Sequence, residues 1–154
     1  MIVSSTRHGA LSQGGIAVDR EADSRAFSHR MGRHRMVIIF NPVAGRRRAA
    51  LLWRVLDVLA ANGIRLDLAE THRAGHAEAL AREAARGGAS MVVAAGGDGT
   101  IAEVANGLMG SGARLGVIPL GTANVLAHEL RLPFAPKSVA AALAFGRTRT
   151  LWPG

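Results

Sequence analysis

Gly96-Gly97-Asp98-Gly99-Thr100 sets one carboxylate among three glycines, directly after the apolar run 91–95 and directly before a helical pattern. A strand that feeds a glycine-rich turn into a helix start suits phosphate binding. The glycines let a ligand approach the backbone, and the first helical N–H groups face it from the positive end of the helix dipole. Two junctions of the same kind flank it, Phe40-Asn41-Pro42-Val43-Ala44-Gly45 and Ile118-Pro119-Leu120-Gly121-Thr122-Ala123-Asn124. One such turn is weak evidence, but three at strand ends indicate a nucleotide site.

The kind of phosphate chemistry can be narrowed. A Walker loop needs a lysine after its last glycine, and the only lysine of the chain is Lys137, far from these turns. Gly97-x-Gly99-x-x-Ala102 fits the loose dinucleotide fingerprint, but the acid expected about 20 positions on is missing. Pro119-Leu120-Gly121 stands there instead, which argues against a dehydrogenase. Thr100-x-x-Glu103 has the spacing of a capping box, in which both side chains satisfy free N–H groups at the start of their own helix. Asp98 has two readings: a link to Mg²⁺ or the acceptor hydroxyl, and an Asx bond that stabilises the turn. Arg46, Arg47 and Arg48 oppose the dipole of the helix they open, which a bound anion would relieve; they read equally as solvated side chains. His72 and His76 have H-x-x-x-H spacing, but Gly75 between them argues against a helical metal pair. Trp53 reads as core or interface.

The elements that must hold these groups alternate. Met36–Phe40 is a short apolar β run. Arg46–Ala61 is helical, with Leu51, Leu52, Val55, Leu56 and Leu59 on one stripe, and Asn62-Gly63 ends it. Ile64–Glu70 reads as a half-buried strand with Ile64, Leu66 and Leu68 inward. Helices are expected over Gly75–Arg86, Thr100–Met109, Thr122–Leu130 and Lys137–Phe145. Strands are expected over Ser90–Ala95, Leu115–Ile118 and from Thr148. Strands spaced by helices imply a parallel sheet covered on both faces, with the ligand beyond the carboxyl ends of the strands, where all three glycine junctions fall. Met1–Arg35 mixes Ser, Gly, Arg and His without periodicity and reads as a disordered leader, as residues upstream of a true start at Met31 or Met36, or as a basic tail attracted to a membrane. The chain stops at Trp152-Pro153-Gly154 as a new element begins, as a domain without its continuation would.

Composition sets outer limits. The 154 residues are 49% hydrophobic, enough for one domain with a core. The formal charge of +8 favours anionic partners such as nucleotides, nucleic acids or acidic lipid surfaces. With no Tyr and 4% aromatics, recognition of single-stranded nucleic acid by stacking is poorly supported. No Cys is present, which excludes disulfides and thiol nucleophiles. No apolar run reaches the roughly 18–20 residues of a membrane span, and no secretory signal is evident. The expectation is a cytoplasmic protein.

The segment Gly96-Gly97-Asp98-Gly99-Thr100-Ile101-Ala102-Glu103-Val104-Ala105-Asn106-Gly107-Leu108 resembles the signature of the diacylglycerol kinase catalytic domain, shared with sphingosine-type and bacterial lipid kinases. Asn41-Pro42-Val43-Ala44-Gly45, Thr71-His72-Arg73-Ala74-Gly75-His76-Ala77 and Pro119-Leu120-Gly121-Thr122-Ala123-Asn124 are similar to three further segments of that family, in the same order. The resemblance runs from Met36 to about Leu130. It implies a three-layer, parallel-sheet, Rossmann-like α/β domain of the phosphofructokinase and NAD kinase type. It also implies transfer of the γ-phosphoryl of ATP, with Mg²⁺, to a lipid hydroxyl at a membrane surface, here the inner face, with a homodimer left open. Asn41, Pro42, Gly45, Arg46, Thr71, Gly96, Gly97, Asp98, Gly99, Thr100, Glu103, Gly121, Thr122 and Asn124 would then hold the nucleotide. Asp98 would be the catalytic and metal-binding carboxylate. The family carries a β-rich C-terminal domain that supplies a further carboxylate, and nothing in Met1–Gly154 replaces it. Val125 stands where the family commonly has Asp, which puts acceptor choice in question. Two alternatives stay open: a nucleotide-binding remnant or regulatory module without catalysis, and another kinase with the same glycine loop acting on a soluble substrate.

Overall fold

The computed structural model describes residues 2–3, 35–43 and 48–150. In chain order the elements are β1 (Ile2–Val3), β2 (Met36–Phe40), α1 (Ala49–Ala61), β3 (Leu66–Glu70), α2 (His76–Arg86), β4 (Met91–Gly96), α3 (Asp98–Leu108), β5 (Arg114–Pro119), α4 (Val125–Glu129), α5 (Pro136–Phe145) and β6 (Thr148–Arg149). They form one sheet in the order β3-β2-β4-β5-β1-β6. The four strands β3, β2, β4 and β5 are parallel, in a register that sets Ile38 beside Leu68 and Val93, and Val93 beside Gly116. β1 lies antiparallel to β5 and parallel to β6.

Runs of apolar residues make the central strands because both of their faces are covered. All six residues of β4 are buried. Its Val92 and Ala94 pack with Val37 and Ile39 under α2 and α3, while Met91, Val93 and Ala95 pack with Met36 and Ile38 under α1 and α5. On the second face α1 contributes the expected stripe, with Leu52, Val55, Leu56 and Leu59 buried and Leu51 half-buried. Gly116 in β5 leaves room for α5 to settle on the sheet, since a Cβ there would stand 2.6 Å from Leu143 Cδ2. The parallel-sheet α/β fold follows as expected, with helices on both faces.

Several local expectations change. The strand expected from Ile64 starts at Leu66, and Leu68 is 48% exposed although Leu66 on the same strand and Ile64 before it pack against the core. β3 is an edge strand, so its outer half has no helix above it. Trp53 is 54% exposed and belongs to no core cluster. The third expected helix starts earlier, at Asp98, and the fourth starts later, at Val125 after Asn124 in the left-handed region. Of the expected leader, Ile2–Val3 form a strand on the far side of β5, and 4–34 lie outside the described residues. Gly45 and Arg46 also lie outside them.

Candidate functional site

The sheet order decides where a cleft can open. From β2 the chain passes over α1 to β3 on one side; from β4 it passes over α3 to β5 on the other. The two crossovers diverge between neighbouring strands β2 and β4, so their carboxyl ends border a gap that no connection fills. Three loops meet at that gap. The backbone N–H of Asn41 donates to Ala95 O (3.1 Å), and that of Thr71 donates to Phe40 O (3.0 Å). Both bonds carry the sheet ladder one step past its strands and fix the loops at their roots.

A cavity of about 360 Å³ lies there. Asn41 and Val43 line it from the end of β2, and Thr71, His72, Arg73 and Ala74 from the end of β3. Gly99, Thr100 and Glu103 line it from the first turns of α3. Five of the residues expected from the sequence thus share one cavity: Asn41, Thr71, Gly99, Thr100 and Glu103. Asn41 Oδ1 accepts from the Val43 N–H at 2.9 Å, which folds the Asn41-Pro42 turn tightly. Gly99 is exposed, and a Cβ at that position would meet nothing within 4 Å. The space in front of it is open to a ligand. His72 and Arg73, quoted in the Thr71–Ala77 segment but not expected to hold the nucleotide, are wall residues as well; their position directly after Thr71, at the end of a strand, was the available signal.

The capping box is corrected. The N-cap of α3 is Gly97, three residues before Thr100, and no side chain caps that helix. Thr100 is buried and turns its side chain back over Gly96, where a Cβ would stand 2.5 Å from Thr100 Oγ1. Glu103 reaches a different helix. Its Oε1 accepts from the Gly75 N–H at 2.9 Å and its Oε2 from the Ala77 N–H at 3.1 Å, so the carboxylate closes the amino end of α2. Gly75, the N-cap there, has φ 75° and no side chain to do this itself. Glu103 therefore ties two walls of the cavity together.

The other expected residues within the described part of the chain lie in the loops beside the cavity. Leu120 and Gly121 N–H groups both donate to Gly96 O, at 2.9 and 3.2 Å. The loops after β4 and β5 touch glycine to glycine, for a Cβ on Gly121 would lie 2.5 Å from Gly97 Cα. Asn124, with φ 49° and 1% exposure, donates from Nδ2 to Gly121 O at 2.7 Å and holds that loop closed. Asp98 Oδ1 accepts from the Leu126 N–H at 3.4 Å, a long bond that spans to the first turn of α4. Thr122 is exposed on the same loop, and Pro42 stands in the turn after β2. His72 and His76 stack with ring centroids 5.4 Å apart, and the His72 N–H donates to His76 Nδ1. Among the described residues no three His, Cys, Asp or Glu side chains are grouped to hold a metal ion.

Residues 35–152 match the model of the diacylglycerol kinase catalytic domain. Over 91 residues the chain is 45% identical to "Probable lipid kinase YegS-like" of Xanthomonas euvesicatoria pv. vesicatoria, covering 55% of this chain and 29% of that one. It is 42% identical over 99 residues to the diacylglycerol kinase of Bacillus subtilis, covering 62% and 33%. A solved structure of a diacylglycerol kinase from Bacillus anthracis str. Sterne superposes with a TM-score of 0.63 at 29% identity, over 71% of this chain and 39% of that one. The chain thus spans about a third of the length of the curated relatives it matches.

Proposed function

The chain belongs to the diacylglycerol kinase catalytic domain family, and on that premise we propose that it holds the nucleotide of a lipid kinase, in which ATP gives its γ-phosphoryl to a lipid hydroxyl. The observation that carries this reading is the cavity at the gap between β2 and β4, walled by Asn41, Thr71, Gly99, Thr100 and Glu103. Phosphoryl transfer depends mainly on position and charge neutralisation, with little covalent chemistry left to the protein. The free N–H groups at the start of α3 and the open space over Gly99 suit phosphate oxygens. Thr71 offers a hydroxyl from the opposite wall. Glu103 keeps the walls at a fixed distance and leaves Asp98, held only by its long bond from the Leu126 N–H, as the carboxylate beside the glycines.

A site made of one carboxylate fits Mg²⁺, which is usually held by one or two carboxylates together with substrate phosphates. Asp98 would hold it, since its single bond to Leu126 is long enough to give way; Mg²⁺ would neutralise phosphate charge. The acceptor is a lipid met at the inner membrane surface, with the protein on the cytoplasmic side. Among the described residues no helix is long and apolar enough to cross a membrane, which fits peripheral access.

Calorimetry with MgATP tests the nucleotide reading. The expected result is binding by the chain and loss of it in Gly99→Val, whose circular dichroism stays unchanged because the added side chain meets open space. Asp98→Asn should keep ATP affinity without metal and lose the gain that Mg²⁺ brings. Absence of affinity in the unaltered chain, or equal affinity in Gly99→Val, would overturn the assignment.

A further inference from the structure

A second cavity, of about 510 Å³, lies between the start of α1 and the α4–α5 connection. It shares no lining residue with the cleft beside β2 and β4. Arg48 reaches it from just before α1, Arg54 from α1 and His128 from α4, and none of its described lining residues is acidic. Its floor is apolar, built by Leu51, Phe134 and Pro136. Phe134 touches two of the basic groups: Arg48 Cζ stands 6.0 Å from its ring centroid, and the His128 ring stacks at 4.9 Å with a 33° tilt.

Among the described residues neither guanidinium has a carboxylate partner. The ion pairs among the described residues join Arg35 to Asp67 and Arg82 to Glu78. Two guanidiniums facing one concavity, with an imidazole as a further hydrogen-bonding group, concentrate positive potential, which raises the local concentration of anions. Guanidinium forks match the oxygens of a phosphate. The ring beneath them holds Arg48 in place and offers an apolar shelf next to the charge. Inorganic phosphate has no use for that shelf; an ester has.

We propose that this cavity binds the phosphate group of an anionic phosphate ester, with Arg48, Arg54 and His128 on the oxygens and Phe134 under the organic part. The ester can come from a phospholipid headgroup or from a soluble phosphorylated compound. The lipid-kinase reading enters only in the choice of a phospholipid as one probe. A headgroup bound here would dock the domain on an anionic membrane by a contact distinct from that with ATP.

Two measurements on the full chain separate the sources. One is co-sedimentation with vesicles of phosphatidylglycerol and phosphatidylcholine, against vesicles of phosphatidylcholine alone. The other is titration with glycerol 3-phosphate in solution. Arg48→Gln and Arg54→Gln remove one charge each at the cavity, and Arg86→Gln removes one from the exposed last turn of α2, which does not line it. Vesicle binding that needs phosphatidylglycerol and weakens roughly fivefold in each cavity variant, but not in Arg86→Gln, supports a lipid headgroup. Binding of glycerol 3-phosphate with the same pattern supports a soluble ester. Equal weakening in all three variants would mean a diffuse charge effect and would overturn the site, as would binding in neither assay. MgATP affinity is measured in parallel: Arg54→Gln leaves it unchanged, so loss of this site is told apart from failure of the nucleotide assignment.

Discussion

Glu103→Ala removes a carboxylate that serves as the cap of a helix to which it does not belong. The substitution strands the Gly75 and Ala77 N–H groups and takes a negative charge from the positive end of α2. A hydrogen bond to a charged group contributes about 1.5–3 kcal/mol. The Gly75 bond is exposed, so water replaces most of it; the Ala77 bond is partly buried and counts in full. With a helix-dipole contribution of about 0.3–1 kcal/mol, the expected loss is about 2–3 kcal/mol. For a chain of this size that is a fall in Tm of roughly 6–10 °C. Glu103→Gln keeps one acceptor but turns its amide N–H groups toward a donor, so about half of the loss should appear. Urea denaturation gives the energies, and amide exchange at Gly75 and Ala77 locates them. Arg82→Ala is the control: its pair with Glu78 is a surface i,i+4 contact at 2.6 Å, good for about 0.5 kcal/mol at most. The argument fails if Glu103→Ala costs no more than Arg82→Ala, or if the first turn of α2 exchanges as slowly as before.

Gly107→Ala should destabilise the fold by about 1–3 kcal/mol in urea, because the new Cβ would run into the Glu78 carbonyl and stand 2.8 Å from Ala81 Cβ, where α2 and α3 pack. Gly121→Ala pushes against Gly97 Cα at 2.5 Å and should part the two glycine loops; MgATP affinity measured by calorimetry is expected to fall by about tenfold or more, a change of about 1.4 kcal/mol or greater. Leu143→Ala empties a site that is 2% exposed between α5 and Gly116, and chemical denaturation should show a loss of about 2–5 kcal/mol with nucleotide binding retained.

The alternation of strands and helices was legible from local pattern alone. Met36–Phe40 has the observed bounds, because a β-branched run between Arg35 and Asn41-Pro42 leaves little choice of ends. The stripe on α1 was legible for the same reason, since a 3.6-residue period shows which side of a helix meets a core. The glycine junctions pointed to the carboxyl edge of the sheet, and the motif order matched the family found by comparison.

Other features depend on partners far away in the chain. Ile64, Leu66 and Leu68 alternate as an inward face should, but only sheet order makes β3 an edge and leaves Leu68 half in water. Thr100 and Glu103 have capping-box spacing, yet Gly97 opens their helix, and the free N–H groups of α2 lie within reach of Glu103. A carboxylate bonds to whichever donors the fold leaves unsatisfied, and spacing within one helix cannot reveal donors 26 and 28 residues upstream. The convergence of Arg48, Arg54 and His128 on one cavity is of the same kind. Sequence set the elements and the chemical groups, because period and turn chemistry are local; packing of the crossovers chose which groups meet, because burial and hydrogen bonding across the sheet are not.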